Sequence, residues 1–381
     1  MTSHKNTLQQ LQDYGQSPWL DFISRDLLTS GKLEELIGLG IVGETSNPTI
    51  FDKAIGSGTE YDEELRQLVR EGKSVSEIYD TLVLGDIRNA AMTLRPIYDR
   101  TNGRDGYVSI EEPPDMAYDT ERSFVEARRL FDYLGMPNIM IKIPGTPEGI
   151  LAFQRAIAAG INVNVTLVFS LDNYRCVAEA YIAGLEERLA AGKPVDRIAS
   201  VASFFVSRVD TAVDKRLDEI IAATSDEQRR QELRALQGKA AIANAKLAYA
   251  AYQEIFSGPR WEALAQKGAR TQRCLWASTS TKNPAYRDVL YVEELIGPDT
   301  VNTMPLQTIE AFLDHGRVER TLDRDVEKAR AEYAAIEQAG ISMDEVTLQL
   351  QKDGVKLFAD SFNDLINTIR SKREAMMTRA G

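Results

Sequence analysis

Apolar residues fall along this chain in two alternating rhythms. Short, nearly continuous apolar runs rich in β-branched residues alternate with longer stretches in which apolar positions recur at helical spacing. The short runs predict eight strands, over 19–23, 41–45, 106–111, 138–143, 161–166, 198–205, 273–278 and 300–304. Helical patterns lie between them, such as DTERSFVEARRLFDYLG ending at Gly135 and TPEGILAFQRAIAAG ending at Gly160. A glycine just past the last periodic residue is a helix-stop signal, because it enters the left-handed region without a Cβ clash. Strand–helix alternation implies parallel pairing with crossovers on the sheet faces. The run NIMIKI (138–143) is apolar at nearly every position, so both faces of that strand are expected to be buried. Eight repeats favour a closed α/β barrel, a (β/α)8 or TIM barrel, over an open doubly wound sheet. Two long stretches, at about 211–257 and 325–379, keep helical spacing and read as packed additions to the barrel. No Pro/Ser-rich linker or internal repeat divides the chain, so residues 1–381 are expected to form one domain.

Composition narrows the function. The chain is 43% hydrophobic and 27% charged, as ordinary globular proteins are, and has no apolar run of membrane-spanning length. A formal charge of −12 argues against a nucleic-acid or anionic-membrane partner. Cys176 and Cys274 provide neither a disulfide framework nor a metal cluster, and the N-terminus has no apolar leader, so a cytoplasmic location is expected. The only histidines are His4 and His315, which makes a Ser-His-Asp triad, a Cys-His dyad or a His-rich zinc site improbable. Acid–base work then falls to carboxylates, lysine or tyrosine. Two motifs are decoys. Gly38–Gly43 matches G-x-G-x-x-G but follows a helix and enters a strand, the reverse of a dinucleotide site, so a helix C-cap is the better reading. The sequon Asn164-Val165-Thr166 falls in a strand expected to be buried.

In such a barrel the active site lies at the C-terminal ends of the strands. Lys142 interrupts the apolar run Ile139–Pro144 there. Low dielectric favours the neutral amine, the form that attacks a carbonyl to make a Schiff base. A lysine snorkelling to the strand end, or paired with a carboxylate, is the alternative. Asp21, Asn47, Glu111, Asn164 and Thr166 also sit at strand ends. Each has a plain structural reading: Asn47 as a helix cap before Pro48, Asp21 as an ion-pair partner, Glu111 solvated beside Glu112. Those readings weaken collectively, because they would crowd polar groups at one barrel end without purpose. Ser203 and Arg208 follow the sixth strand, and ASTSTK (277–282), with Ser280 and Lys282, follows the seventh. Such groups suit a phosphate, unless Arg208 pairs with Asp210 or Asp214.

Three ordered segments carry a family resemblance: GETSNPTIF (43–51), NIMIKIPGTPEGI (138–150) and INVNVTLVFS (161–170). With VSIEE (108–112) and SVASFFVSRVD (200–210) in order around them, they resemble the transaldolase family, in its longer bacterial type, from about residue 17 to 305. The resemblance implies a barrel of the class I aldolase type, circularly permuted so that the lysine lies on the fourth strand. It implies that Lys142 attacks the C2 carbonyl of a ketose phosphate and that Asp21 takes the C4 hydroxyl proton. Glu111 and Thr166 would hold a water for proton transfer, Asn47 and Asn164 would bind the dihydroxyacetone unit, and Ser203 and Arg208 the phosphate. Where relatives carry a further phosphate-binding arginine after strand seven, this chain reads ASTSTK, and Ser280 or Lys282 would take that role. The implied reaction moves dihydroxyacetone from sedoheptulose 7-phosphate to glyceraldehyde 3-phosphate in the non-oxidative pentose phosphate pathway, with no metal or other cofactor. The assembly implied is a monomer or homodimer. A Schiff-base ketose-phosphate aldolase and a non-catalytic sugar-phosphate-binding barrel are the competing readings.

Overall fold

The computed structural model describes residues 5–380; His4 lies outside them. Eight strands close into a barrel in chain order, every neighbouring pair parallel: β1 Gln16–Asp21, β2 Glu44–Thr45, β3 Val108–Glu111, β4 Ile139–Pro144, β5 Val163–Val168, β6 Ser200–Phe205, β7 Arg273–Ala277 and β8 Thr300–Met304. All strand residues are buried except the half-buried Asp21, the condition under which an all-parallel sheet is stable. The fold is the expected (β/α)8 barrel.

Helix boundaries follow the expected chemistry. Thr146 accepts from the Gly149 amide ahead of Pro147, and Gly160 closes that helix at φ 96°. Gly40 likewise caps the helix Lys32–Leu39, so the glycine-rich decoy is a helix stop. The last glycine of that decoy, Gly43, serves packing instead. A Cβ there would stand 2.4 Å from the indole of Trp19, so the barrel interior accepts Trp19 only because position 43 has no side chain.

The strands differ from expectation at their edges. β1 begins at Gln16 and ends at Asp21, not over 19–23. Polar Gln16 and Ser17 and a proline obscure its start, yet the Pro18 carbonyl still accepts from Val42. β5 runs on to Val168 through a register shift between Val165 and Val168, with Leu167 at φ 59°. Such a bulge re-aims the residues around it at the mouth of the barrel.

The segment 211–257 is covered by Ser207–Ala223, Glu227–Arg234 and Ala240–Ile255, and 325–379 by Val326–Gln338 and Met343–Ala380. The last of these helices lies across the C-terminal ends of the strands. Its Gln351 donates to the carbonyls of Gly145 and Leu167, at 3.0 and 3.1 Å, and Ser361 accepts from Thr49 at 2.8 Å. Further along, Thr368 donates to Asp52 and Lys372 pairs with Asp62 at 2.9 Å. Among the described residues no helix is long and apolar enough to cross a membrane.

Candidate active site

Parallel register brings the polar strand ends together. Glu111 stands opposite Lys142 across β3–β4, Lys142 opposite Asn164 across β4–β5, and Asp21 opposite Thr45 across β1–β2. Lys142 is on the fourth strand and only 7% exposed. Its ammonium reaches Glu111 Oε1 at 3.1 Å and donates to the Ser46 carbonyl at 3.0 Å. Of the two plain readings, snorkelling does not fit so buried a residue, while the pairing with a carboxylate is present and coexists with the burial that a reactive amine requires.

Glu111 is buried rather than solvated, and burial raises its carboxyl above the usual carboxylate range against the pull of Lys142. Glu112 is buried too; it accepts from the Ser123 hydroxyl, and desolvation pushes it up to about 8. Glu111 Oε2 and Thr166 Oγ1 are both buried without a hydrogen-bond partner among the described residues. A small cavity of about 20 Å³ is lined by Glu111, Lys142 and Thr166 together with apolar neighbours, Leu167, Val355 and Phe358 among them. That is room for a single water, which needs roughly 10–15 Å³ on this measure and a few polar partners.

Asp21 accepts from Thr45 at 2.9 Å, and Thr45 is in turn within 2.8 Å of Thr303 on β8. Burial raises the Asp21 carboxyl; Lys142, the Thr45 bond, Lys282 and Arg208 oppose that rise. Asn47 does cap the following helix, accepting from Ile50 N at 3.1 Å through Oδ1. The cap leaves its Nδ2 unused, and the residue also lines the adjoining cleft. Asn164 is fully buried, donates to Ser109 and accepts from Ser203 at 2.6 Å. Ser203 is thus engaged in orienting Asn164. Burial of that strand disposes of the sequon.

A cleft of about 670 Å³ opens beside this centre, lined by Asp21, Asn47, Arg208 and the C-terminal helix residues Leu357, Phe358 and Ser361. Arg208 does not pair with Asp210 or Asp214, whose carboxylates are occupied by Ala241 N with Tyr291 and by Gly238 N with Tyr286. Desolvation lowers the Arg208 guanidinium, while Glu111 and Asp21 support its charge. Lys282 donates to Ser280 at 2.8 Å, and its charge, like that of Arg208, opposes the rise of the Asp21 carboxyl. Among the described residues no three histidine, cysteine or carboxylate side chains converge to hold a metal. Cys274 is buried with its thiol pushed up to about 12, and His315 is an exposed partner of Asp288 and Asp314 at a helix end.

Sequence reasoning missed Ser46, whose carbonyl holds the lysine, Thr45 and Thr303, which brace Asp21, and Phe358. The Phe358 ring lies 5.8 Å from the Lys142 ammonium and lines both the cleft and the small cavity. Thr45 and Ser46 were readable from the polar run Glu44–Asn47; nothing local marks Phe358, more than two hundred residues along the chain from Lys142.

A closed (β/α)8 barrel whose fourth strand buries a lysine against a carboxylate, beside a second carboxylate and a cleft lined by Arg208, is of the class that works through amine–carbonyl chemistry. The chain belongs to the family described as Transaldolase/Fructose-6-phosphate aldolase, whose profile matches residues 18–369. It is 49% identical over 370 residues to a transaldolase of Trichodesmium erythraeum (strain IMS101), covering 96% of this chain and 97% of that one. It is 51% identical over 370 residues to a transaldolase of Thermobifida fusca (strain YX), covering 97% and 98% of the two chains. Transaldolase 1 of Streptomyces avermitilis is 51% identical over 364 residues, with 95% and 94% covered.

Proposed function

We infer that this enzyme is a transaldolase that carries dihydroxyacetone on Lys142, transferring it reversibly from sedoheptulose 7-phosphate to glyceraldehyde 3-phosphate to give erythrose 4-phosphate and fructose 6-phosphate. The observation that carries the assignment of the lysine is its burial between Glu111 and the Ser46 carbonyl. Glu111, at 3.1 Å, is placed to take the proton that frees the amine for attack on C2. A water between Glu111 and Thr166 relays protons as the carbinolamine loses its hydroxyl. The resulting protonated imine accepts the electron pair of the C3–C4 bond while Asp21 takes the C4 hydroxyl proton, leaving an enamine on the lysine. The arriving aldehyde phosphate reverses these steps, with Asp21 returning the proton. A carboxyl raised by burial suits a group that must take and return a proton in one cycle. Asn47 and Asn164, the latter held by Ser203, bind the dihydroxyacetone hydroxyls, and Arg208 anchors the phosphate with Ser280 and Lys282.

Residues 1–381 form one barrel domain in this reading, with the helices of about 211–257 and 325–379 as additions. The partners are small sugar phosphates, not nucleic acid or membrane, and the chain works in the cytoplasm as a monomer or homodimer. The −12 charge supports that choice of partner.

Borohydride reduction in the presence of fructose 6-phosphate, followed by peptide mapping, tests the mechanism. The expected result is a dihydroxyacetone-sized adduct on Lys142 that is absent from Lys142→Met. No adduct, with sugar-phosphate binding intact, would leave only a binding barrel. Free dihydroxyacetone released as fast without acceptor as product forms with it would make the enzyme an aldolase instead.

A further inference from the structure

The barrel has a second polar mouth at the opposite end. A cavity of about 350 Å³ opens there, lined by Arg104, Arg270 and Arg273 together with Thr271, Ser200 and Met140. Ser200 and Arg273 are the first residues of β6 and β7. Met140 precedes Lys142 by two positions on β4, so the cavity meets that strand about 7 Å below the lysine.

The charges lining this cavity are all positive. Arg273 is compensated, by Asp105 at 3.1 Å, and Arg104 meets Asp299 at 3.0 Å at the protein surface. Arg270 has no carboxylate within ion-pair distance among the described residues; it donates to the Asn102 carbonyl. Arg197 donates to that same carbonyl from the side, at 3.2 Å. The loop that offers this carbonyl bends through left-handed residues, Asn102 at φ 54° and Gly103 at φ 76°. A Cβ on Gly103 would stand 3.1 Å from Arg270 Nη1, in a left-handed conformation that already favours glycine. Thr271 accepts from the Tyr252 hydroxyl, which leaves its own proton to donate.

Neutral carbonyls orient a guanidinium without cancelling its charge. A chain with 57 acidic residues against 45 basic ones has carboxylates to spare, and a loop could be stapled by compensated pairs. Here one planar donor fork in a concave site, that of Arg270, is left without an acceptor of matching charge beside two paired arginines, an arrangement suited to phosphate. We propose that this cavity at the N-terminal end of the barrel is a second anion site, which takes a small phosphate-bearing metabolite with Arg270 as its principal ligand. Its volume falls in the usual range for small-molecule sites.

Inorganic pyrophosphate is the probe, titrated calorimetrically into the full chain at low salt. Arg208→Gln removes the phosphate anchor of the cleft at the other end. Arg229→Gln, at an exposed surface position, makes the same change in net charge. The expected result is a binding component that survives Arg208→Gln and Arg229→Gln but weakens at least tenfold in Arg270→Gln, whose glutamine can still donate to Asn102. Thermal melts establish that each variant is folded; should Arg270→Gln fail to fold, Arg104→Gln reports on the same cavity from the surface. Loss of all pyrophosphate binding in Arg208→Gln, or unchanged binding in the folded cavity variant, overturns the proposal and leaves these arginines as staples of the loop.

Discussion

Lys142 shows how one side chain can be prepared by its neighbours without being visibly strained. Its ammonium donates to the Ser46 carbonyl and lies 3.1 Å from the Glu111 carboxylate, and of the two only the carboxylate can carry a proton away. Glu111→Gln keeps the shape and removes the basicity. It should lower kcat by about 100-fold or more, the scale of general acid–base catalysis, while the KM for fructose 6-phosphate changes little. A steady-state assay decides this; an equal loss appearing wholly in KM would make Glu111 a binding group. Phe358 works by exclusion. Its ring covers the ammonium from the C-terminal helix and separates the cavity behind Lys142 from the open cleft. Removing a wall that keeps water from a reactive intermediate favours hydrolysis over transfer. Phe358→Ala should therefore raise the ratio of free dihydroxyacetone to transferred product severalfold, measured with and without an aldehyde phosphate acceptor.

Among the elements, the strands were legible because two-sided burial writes itself as continuous apolar runs, and β4 and β6–β8 are found within a few residues of expectation. The exceptions have local causes. β1 hides behind Gln16, Ser17 and Pro18, whose ladder contribution is a carbonyl and not an amide. β2 pairs over only two residues, although Val42 and Gly43 already join the ladder around them. Lys142 was legible as a polar residue where the pattern demanded an apolar one. The roof over it was not, because helical spacing in 325–379 announces a packed face without saying what it packs against. That helix is seated at Gly354, where a Cβ would come within 2.6 Å of Leu167 Cδ2 at the bulge of β5. Gly354→Val crowds the buried Leu167 side chain, and the expected response is a shift of the helix, and of Phe358 with it, away from the barrel mouth. The expected cost is about 1–3 kcal/mol, typical of overpacking, together with a fall in kcat/KM for fructose 6-phosphate. A melt combined with kinetics checks it; lost stability with unchanged kcat/KM would mean the roof does not depend on this seat.

Over the whole molecule, the apolar barrel wall is a stabilising frame and its C-terminal end is a cost the frame absorbs. Asp21, Glu111, Lys142 and Arg208 bring charge into a low-dielectric mouth, and functional sites of this kind are commonly held at the expense of stability. The direction of that expense follows from Asp21. Burial raises its carboxyl above the ordinary value of 3.8, so below that value both folded and unfolded chains are protonated and its burial carries no electrostatic cost. As pH rises the unfolded chain ionises first, and stability falls until the folded carboxyl ionises too, after which the loss is constant. Asparagine accepts the same Thr45 bond with no charge to desolvate. Asp21→Asn should therefore abolish transfer yet melt higher at pH 8, by about 1 kcal/mol, the scale on which single stabilising substitutions act. The gain should shrink as pH is lowered toward 4. Calorimetric melts at both pH values decide it: a variant less stable than the parent at pH 8 would show that attraction from Lys142, Lys282 and Arg208 outweighs desolvation, and that the charged end of the barrel supports the fold it was thought to tax.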